Sequence, residues 1–229
     1  MHAEGHTIVE LDYPGEYLSR LGTVETKTCK IRLSRKGEGL LARMYASRGY
    51  HIQATLSHDS DLSSIVVQIN GQAQGTMSVH MDDGHLGAEE QYPEYVKALR
   101  DRGARICEIG KLAMDPGVRS KRVLGAIFHI CCLVAFRVRR ATDIIVEVNP
   151  RHAHFYQQML RFDPLGPERM CERVGAPAVL LHMGAEKARR LIEQFGGRPA
   201  LSKEERSFYP YFFHPDDEEG LLRRLSAGG

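Results

Sequence analysis

At 229 residues, 42% apolar and 26% charged, the chain is long enough to fill one core and too apolar to behave as a disordered polymer. A net charge of +2 is too small to imply nucleic-acid binding, and no apolar run reaches membrane-spanning length. The first residues lack the basic start and apolar stretch of a secretory signal, so the expected location is cytoplasmic, and the 5 irregularly spaced cysteines are expected as thiols.

Residues 1–23 read as an N-terminal extension, 24–198 as one domain, and 199–229 as a C-terminal extension packing on it. Alternation in Thr26-Lys27-Thr28-Cys29-Lys30-Ile31-Arg32-Leu33 predicts an opening strand. Residues 37–48 read as a helix with Leu40, Leu41, Met44 and Tyr45 on one face and Gly49 as its stop. Strands over 65–70 and 72–81 are joined at Asn70-Gly71, a pair suited to a tight hairpin because both residues tolerate positive φ. A helix over 89–102 follows, with Pro93 near its start. Next come a strand from Ile106 to Met114, a turn at Asp115-Pro116-Gly117, and a helix opening at Arg119-Ser120-Lys121-Arg122 with an apolar body over 123–136. A second strand over 143–148 runs into a helix after Asn149-Pro150, and a last strand–helix pair spans 178–183 and 185–195. The tail reads as one short acidic-start helix, an aromatic patch at Phe208-Tyr209-Pro210-Tyr211-Phe212-Phe213, and a segment from Asp216 to Leu225.

The two strand-to-helix junctions carry the chemistry. A strand feeding a helix N-terminus makes an anion site, because free N–H groups and the helix dipole point at the ligand. Glu108 is a carboxylate among Ile106, Ile109 and Leu112; burial there would raise its pKa and suit it to take a proton from an amine. The alternative is a buried ion-pair partner. Tyr156 could steady a departing thiolate, or pack in the core beside Phe155. Asn149 could bond the amides of a phosphopantetheine arm, or serve the turn before Pro150. Arg119, Lys121 and Arg122 gather at a helix start, where they oppose the dipole and need a reason. His152 and His154 lack further ligands at metal spacing, so no metal is expected.

In their order these elements resemble the GNAT acyltransferase superfamily. The segments Glu108-Ile109-Gly110-Lys111-Leu112-Ala113, Val148-Asn149-Pro150-Arg151-His152 with Phe155-Tyr156, and Pro164-Leu165-Gly166-Pro167 are similar to the N-acyl amino acid synthase family, related to acyl-homoserine-lactone synthases. The resemblance implies an α+β, α/β/α layered fold: a central mixed, mostly antiparallel sheet with helices on both faces. It implies transfer of a long-chain fatty acyl group to the α-amine of an amino acid, with Glu108 and Tyr156 as catalytic candidates. It also implies that Leu112, Ala113, Met114 and Asn149 line the acyl-pantetheine path and that Arg43 takes the acceptor carboxylate. No cofactor is expected to be held permanently; the donor is an acyl-phosphopantetheine thioester. Where the GNAT phosphate loop carries glycines, this chain has Arg122 and Leu124, which disfavours free coenzyme A and favours acyl carrier protein docked on Arg119, Lys121 and Arg122. The alternatives are an acyl-CoA-dependent GNAT enzyme, a homoserine-lactone synthase, and a non-catalytic carrier-protein-binding module. The homoserine-lactone synthases commonly carry N-terminal tryptophans, and this chain has none.

Overall fold

The computed structural model describes residues 6–14, 26–34, 62–118 and 120–227. The helix expected over 37–48, Arg43 within it, and Arg119 lie outside the described residues.

Four strands open the fold as an antiparallel run: β1 (His6–Pro14), β2 (Thr26–Ser34), β3 (Leu62–Ile69) and β4 (Gln72–Met81). The β3–β4 connection is the two-residue turn Asn70-Gly71. Its φ angles of 52° and 77° are the left-handed values that give a hairpin turn the twist of its strands. β5 (Ile106–Met114) pairs antiparallel with β4 and parallel with β6 (Asp143–Val148). β9 (Ala176–Gly184) lies antiparallel to β6 and carries the short β7 (Asp163–Pro164) and β8 (Arg169–Cys171). The order across the sheet is β1-β2-β3-β4-β5-β6-β9-β7, with β8 beside β9.

Helices cover both faces. One face is closed by the 3-10 turn Gly87–Glu90 and α1 (Pro93–Asp101), which has proline at its first turn, where the missing N–H costs nothing. Leu86, Ala88, Tyr92, Val96 and Leu99 there bury against Ile106, Ile145 and Leu180. The larger core lies on the other face. It takes Val123, Ile127 and Ile130 of α2 (Lys121–Cys132), Tyr156 and Leu160 of α3 (Pro150–Leu160), and Ala188 and Ile192 of α4 (Ala185–Phe195), all against Cys107, Ile109, Ile144 and Val146. α2 continues as a π-helical stretch, Leu133–Val138. The result is an α+β fold with a mixed, mostly antiparallel sheet.

The N-terminal segment joins the sheet, and the C-terminal segment packs on the larger core. β1, from the segment read as an extension, pairs with β2 and buries Ile8 and Leu11. The C-terminal segment adds Phe208, Tyr209, Phe212 and, from α5 (Glu218–Ala227), Leu221 and Leu225 to the larger core. Tyr209 Oη donates to the Leu160 carbonyl at 3.0 Å, and Phe208 stacks on Phe128. His129 lies buried with its ring against those of Phe212 and Phe213. The Phe213 N–H donates to His129 Nδ1, so the ring proton sits on Nε2, facing Glu218 at 3.2 Å. Gly125 makes this packing possible: a Cβ there would stand 2.8 Å from the Tyr211 carbonyl oxygen. All five cysteines are free.

Candidate active site

β5 and β6 separate part-way along their length. Their parallel pairs are Ile106 with Asp143, Cys107 with Ile144, and Glu108 with Ile145. Beyond Glu108, β5 pairs with β4 alone, and β6 beyond Ile145 pairs with β9 alone. A bulge accompanies the parting. Gly110 faces Ser78 and Ala113 faces Thr76, so two residues of β5 oppose one of β4, and Lys111 takes a left-handed φ of 52°. Such an insertion bends its strand and re-aims the residues after it. Lys111 is exposed, and its direction is set by the bulge rather than by simple alternation from Glu108. Leu112, Ala113 and Met114 lie on the diverging part of β5, so they edge the gap.

Glu108 marks the point of divergence. Its side chain turns to the face covered by the 3-10 turn, where the Ala88 N–H donates to Oε2 at 3.4 Å. Burial pushes its pKa above the ordinary carboxylate range, outweighing the Ala88 bond and the positive field of Arg173, which pull it down. A second carboxylate, Glu147, adds to the upward push. It stands two residues beyond Ile145 on β6 and so on the same face. Arg173, in the turn between β8 and β9, donates through Nη2 to both Glu147 oxygens at 3.2 Å, and its Nε lies 3.1 Å from Glu90. Gly87 leaves room for that guanidinium: a Cβ there would meet Arg173 Nη1 at 2.5 Å and Glu108 Oε1 at 3.3 Å. Three carboxylates and one arginine therefore converge where the strands part. Such a group can bind a cationic amine and accept its proton.

The other expected site residues are distributed around this point. Tyr156 belongs to the larger core, with edge contacts to Phe128, Phe155 and Phe162 at 6.1, 5.4 and 5.8 Å, and is buried. It lies across the sheet from the group around Glu108. Asn149 caps α3: its Oδ1 accepts from the Arg151 N–H at 3.2 Å and its Nδ2 donates to the Pro177 carbonyl at 3.1 Å. One end of that side chain serves the turn and the other ties it to β9. Lys121 and Arg122 are exposed on the first turn of α2, behind the N-cap Ser120, and Lys121 Nζ stands 5.8 Å from the Tyr211 ring centroid. Among the described residues no three His, Cys, Asp or Glu side chains gather as a metal site.

Residues 37–184 match the family model for the N-acyl amino acid synthase FeeM. The chain belongs to that family. This N-acyl amino acid synthase family member is accordingly an N-acyltransferase. The solved structure of FeeM, an N-acyl amino acid synthase from uncultured soil microbes, superposes with a TM-score of 0.60 at 22% identity, covering 66% of this chain and 89% of that one. An uncharacterized protein from Bacillus halodurans gives 0.51 at 12% identity, over 80% of this chain and 94% of its own. Escherichia coli ElaA gives 0.46 at 12% identity, over 62% and 84%. The first two likenesses show a shared, GNAT-like fold. No curated protein matches the chain. Among the described residues of this family member no helix is long and apolar enough to cross a membrane.

Sequence reasoning singled out Glu108 and not Glu147, Arg173, Glu90 or Gly87, which the structure gathers around it. One signal was available: Glu147 is a charge within the apolar strand Ile144-Ile145-Val146-Glu147-Val148, the same anomaly that singled out Glu108. Arg173 had no such mark, because only the β8–β9 pairing brings it to Glu147. The motif Pro164-Leu165-Gly166-Pro167 also gains a reason. The Leu165 and Gly166 N–H groups bond the Leu180 carbonyl, and Gly166 leaves space for the Tyr92 ring, whose hydroxyl donates to the Ala178 carbonyl at 2.7 Å.

Proposed function

We propose that this protein makes N-acyl amino acids, transferring a long-chain fatty acyl group from acyl carrier protein to the α-amine of a free amino acid. The observation that carries this reading is Glu108, a half-buried carboxylate with a raised pKa at the point where β5 and β6 part. An amino acid near neutral pH is an ammonium ion, so a proton must leave before nitrogen can attack. Glu108 accepts it, directly or through a water. The neutral amine then attacks the thioester carbonyl, forming the C–N bond. The C–S bond breaks, the thiolate leaves, and the nitrogen gives up its second proton. The balance is an amide, a free thiol and one proton released to solvent.

The two faces of the sheet suit two substrates. The acceptor enters on the side of Glu108, and the donor arm runs from the α2 start along Leu112, Ala113, Met114 and Asn149 toward the gap. Tyr156, on the donor side, is the candidate for protonating the thiolate. A thiol with a pKa near ~8.5 departs with little help, so that role is an assistance rather than a requirement. Exposed Lys121 and Arg122, together with Arg119, support a carrier-protein donor over free coenzyme A, since a carrier protein presents an acidic surface to a basic one. Arg43 is the acceptor-binding cation that the family resemblance suggests.

The test is product analysis. Purified protein supplied with hexadecanoyl-carrier protein and a mixture of amino acids is expected to yield an N-acyl amino acid by mass spectrometry. Glu108→Gln should lower amide formation by about 10²-fold or more near neutral pH, with partial rescue as pH rises and free amine accumulates. Absence of any amide product overturns the reading, and unchanged turnover of the variant removes Glu108 from it.

A further inference from the structure

We infer that Arg173 binds the α-carboxylate of the amino acid acceptor, exchanging it for Glu90. The inference rests on the amino acid synthase reading above. It begins with the shape of the acceptor, whose ammonium and carboxylate are separated by a single carbon. Whatever holds the amine against Glu108 must place the carboxylate a short step away, and a cation is needed there.

Arg173 is a cation whose field acts on Glu108, lowering its pKa against the effect of burial. Arg173 Nη1 and Glu108 Oε1 lie within 2.5 and 3.3 Å of one point beside Gly87. The two groups differ in depth: Glu108 is half-buried, whereas the Arg173 side chain is 41% exposed. An amino acid entering from solvent therefore meets the guanidinium outside and the carboxylate inside. This order turns the amine inward to the gap between β5 and β6 and leaves the acceptor carboxylate at the rim.

The partners Arg173 already has make the exchange plausible in magnitude. Glu147, whose side chain is 10% exposed, is held by Nη2 alone, its two oxygens sharing that nitrogen at 3.2 Å each. Glu90 approaches Nε at 3.1 Å from the rim, with its side chain 40% exposed. Neither contact is the parallel two-bond fork by which a guanidinium holds a carboxylate best. Ion pairs as exposed as Glu90–Arg173 contribute little, so an incoming carboxylate can displace Glu90 at small cost while Glu147 keeps the guanidinium in place. Glu90 is then a competitor that occupies the empty site.

Paired acceptors separate this role from a structural one. Leucine with 3-methylbutylamine, and phenylalanine with phenethylamine, are suitable pairs, because each amine lacks only the carboxylate. With wild-type protein and hexadecanoyl-carrier protein, each amino acid should be acylated with kcat/KM at least about tenfold above its amine, since only the amino acid brings a carboxylate that can form the two-bond fork in place of the exposed Glu90 contact. Arg173→Gln should lower kcat/KM for the amino acids by about 10-fold or more relative to their paired amines, mainly through KM, beyond any change that both share because the field at Glu108 is altered. Arg173→Lys should recover part of the loss. Glu90→Gln should lower KM for the amino acids, which loss of a merely structural ion pair would not do. Arg173→Gln slowing amines and amino acids alike, or Glu90→Gln leaving KM unchanged or higher, would overturn the inference. So would a carboxylate-selective loss seen in Arg43→Gln and absent in Arg173→Gln. If wild-type protein acylates amines without preferring amino acids, this inference falls while the acyltransferase stands. If it acylates neither the amino acids nor the amines, the proposed function itself falls.

Discussion

Glu108 is expensive to keep charged. Each unit by which burial raises a carboxylate pKa costs about 1.4 kcal/mol in the ionised form. The unfolded chain titrates near ~4.3, below the folded value, so between the two the native state holds a proton that the unfolded state has lost. Stability contributed by the neutral carboxyl is complete below the unfolded pKa and declines as pH rises through the folded one. Activity follows the opposite course, because only the ionised form accepts a proton. Glu108→Gln is therefore expected to melt at a higher temperature than wild type at about pH 8, with the gap narrowing toward about pH 4. The glutamine carbonyl can still accept from the Ala88 N–H, so the variant need not leave a donor unsatisfied. Melting curves across this range check the sign. A variant less stable than wild type at high pH would mean that Arg173 and the Ala88 bond outweigh burial.

The 3-10 turn over Glu108 is held by a network at its own end. Arg100 of α1 reaches Asp82 through Nε and Nη2, each at 2.7 Å, and Glu89 through Nη1 at 2.5 Å. The Arg100 bond is the leading cause that depresses the Glu89 pKa; at Asp82 burial pushes upward but Arg100 and the Gly84 N–H together outweigh it. Carboxylates depressed in this way stabilise the fold above their unfolded pKa and lose that contribution as pH falls through the folded values. Arg100→Ala should cost about 2 kcal/mol near neutral pH, allowing for partial exposure, and the difference from wild type should close below about pH 3. Urea midpoints at the two pH values measure it.

Elements with local signals were legible in the sequence. Asn70-Gly71 determines its own turn, and Pro93 and Pro150 start their helices. β1 was not legible. An irregularity between Thr7 and Val9 breaks the period of two, so the buried Ile8 and Leu11 stand three apart. The same physics applies at the site. Glu108 was recognisable as a charge in an apolar strand, but the bulge at Lys111 and the meeting of Arg173 with Glu147 arise only from register between distant strands.

Across the whole molecule the formal charge of +2 offers little guidance to an acidic partner, so docking falls to local clusters. Reversing Lys121 and Arg122 to glutamate should raise KM for acyl-carrier protein by about 10-fold or more, chiefly through slower association, and added salt should weaken wild-type binding in the same direction. An acyl-pantetheine fragment, which lacks the protein surface, should scarcely respond. A salt series with both donors checks this, and an equal loss with acyl-CoA would identify the cluster as a phosphate site.

The parting of β5 from β6 also has a mechanical side. The sheet is two leaves, β1–β5 and β6–β9, sewn together within the sheet by three parallel rungs at one end and open at the other. A seam closed at one end opens like a hinge, and bending there strains less hydrogen bonding than bending at any other seam between the long strands. On the proposed reading, the amide groups of a pantetheine arm seated in the open end would lace the leaves together, as a strand that comes and goes with each turnover. The molecule would then be stiffest when loaded and loosest when its product leaves, so the substrate itself supplies the missing stitch.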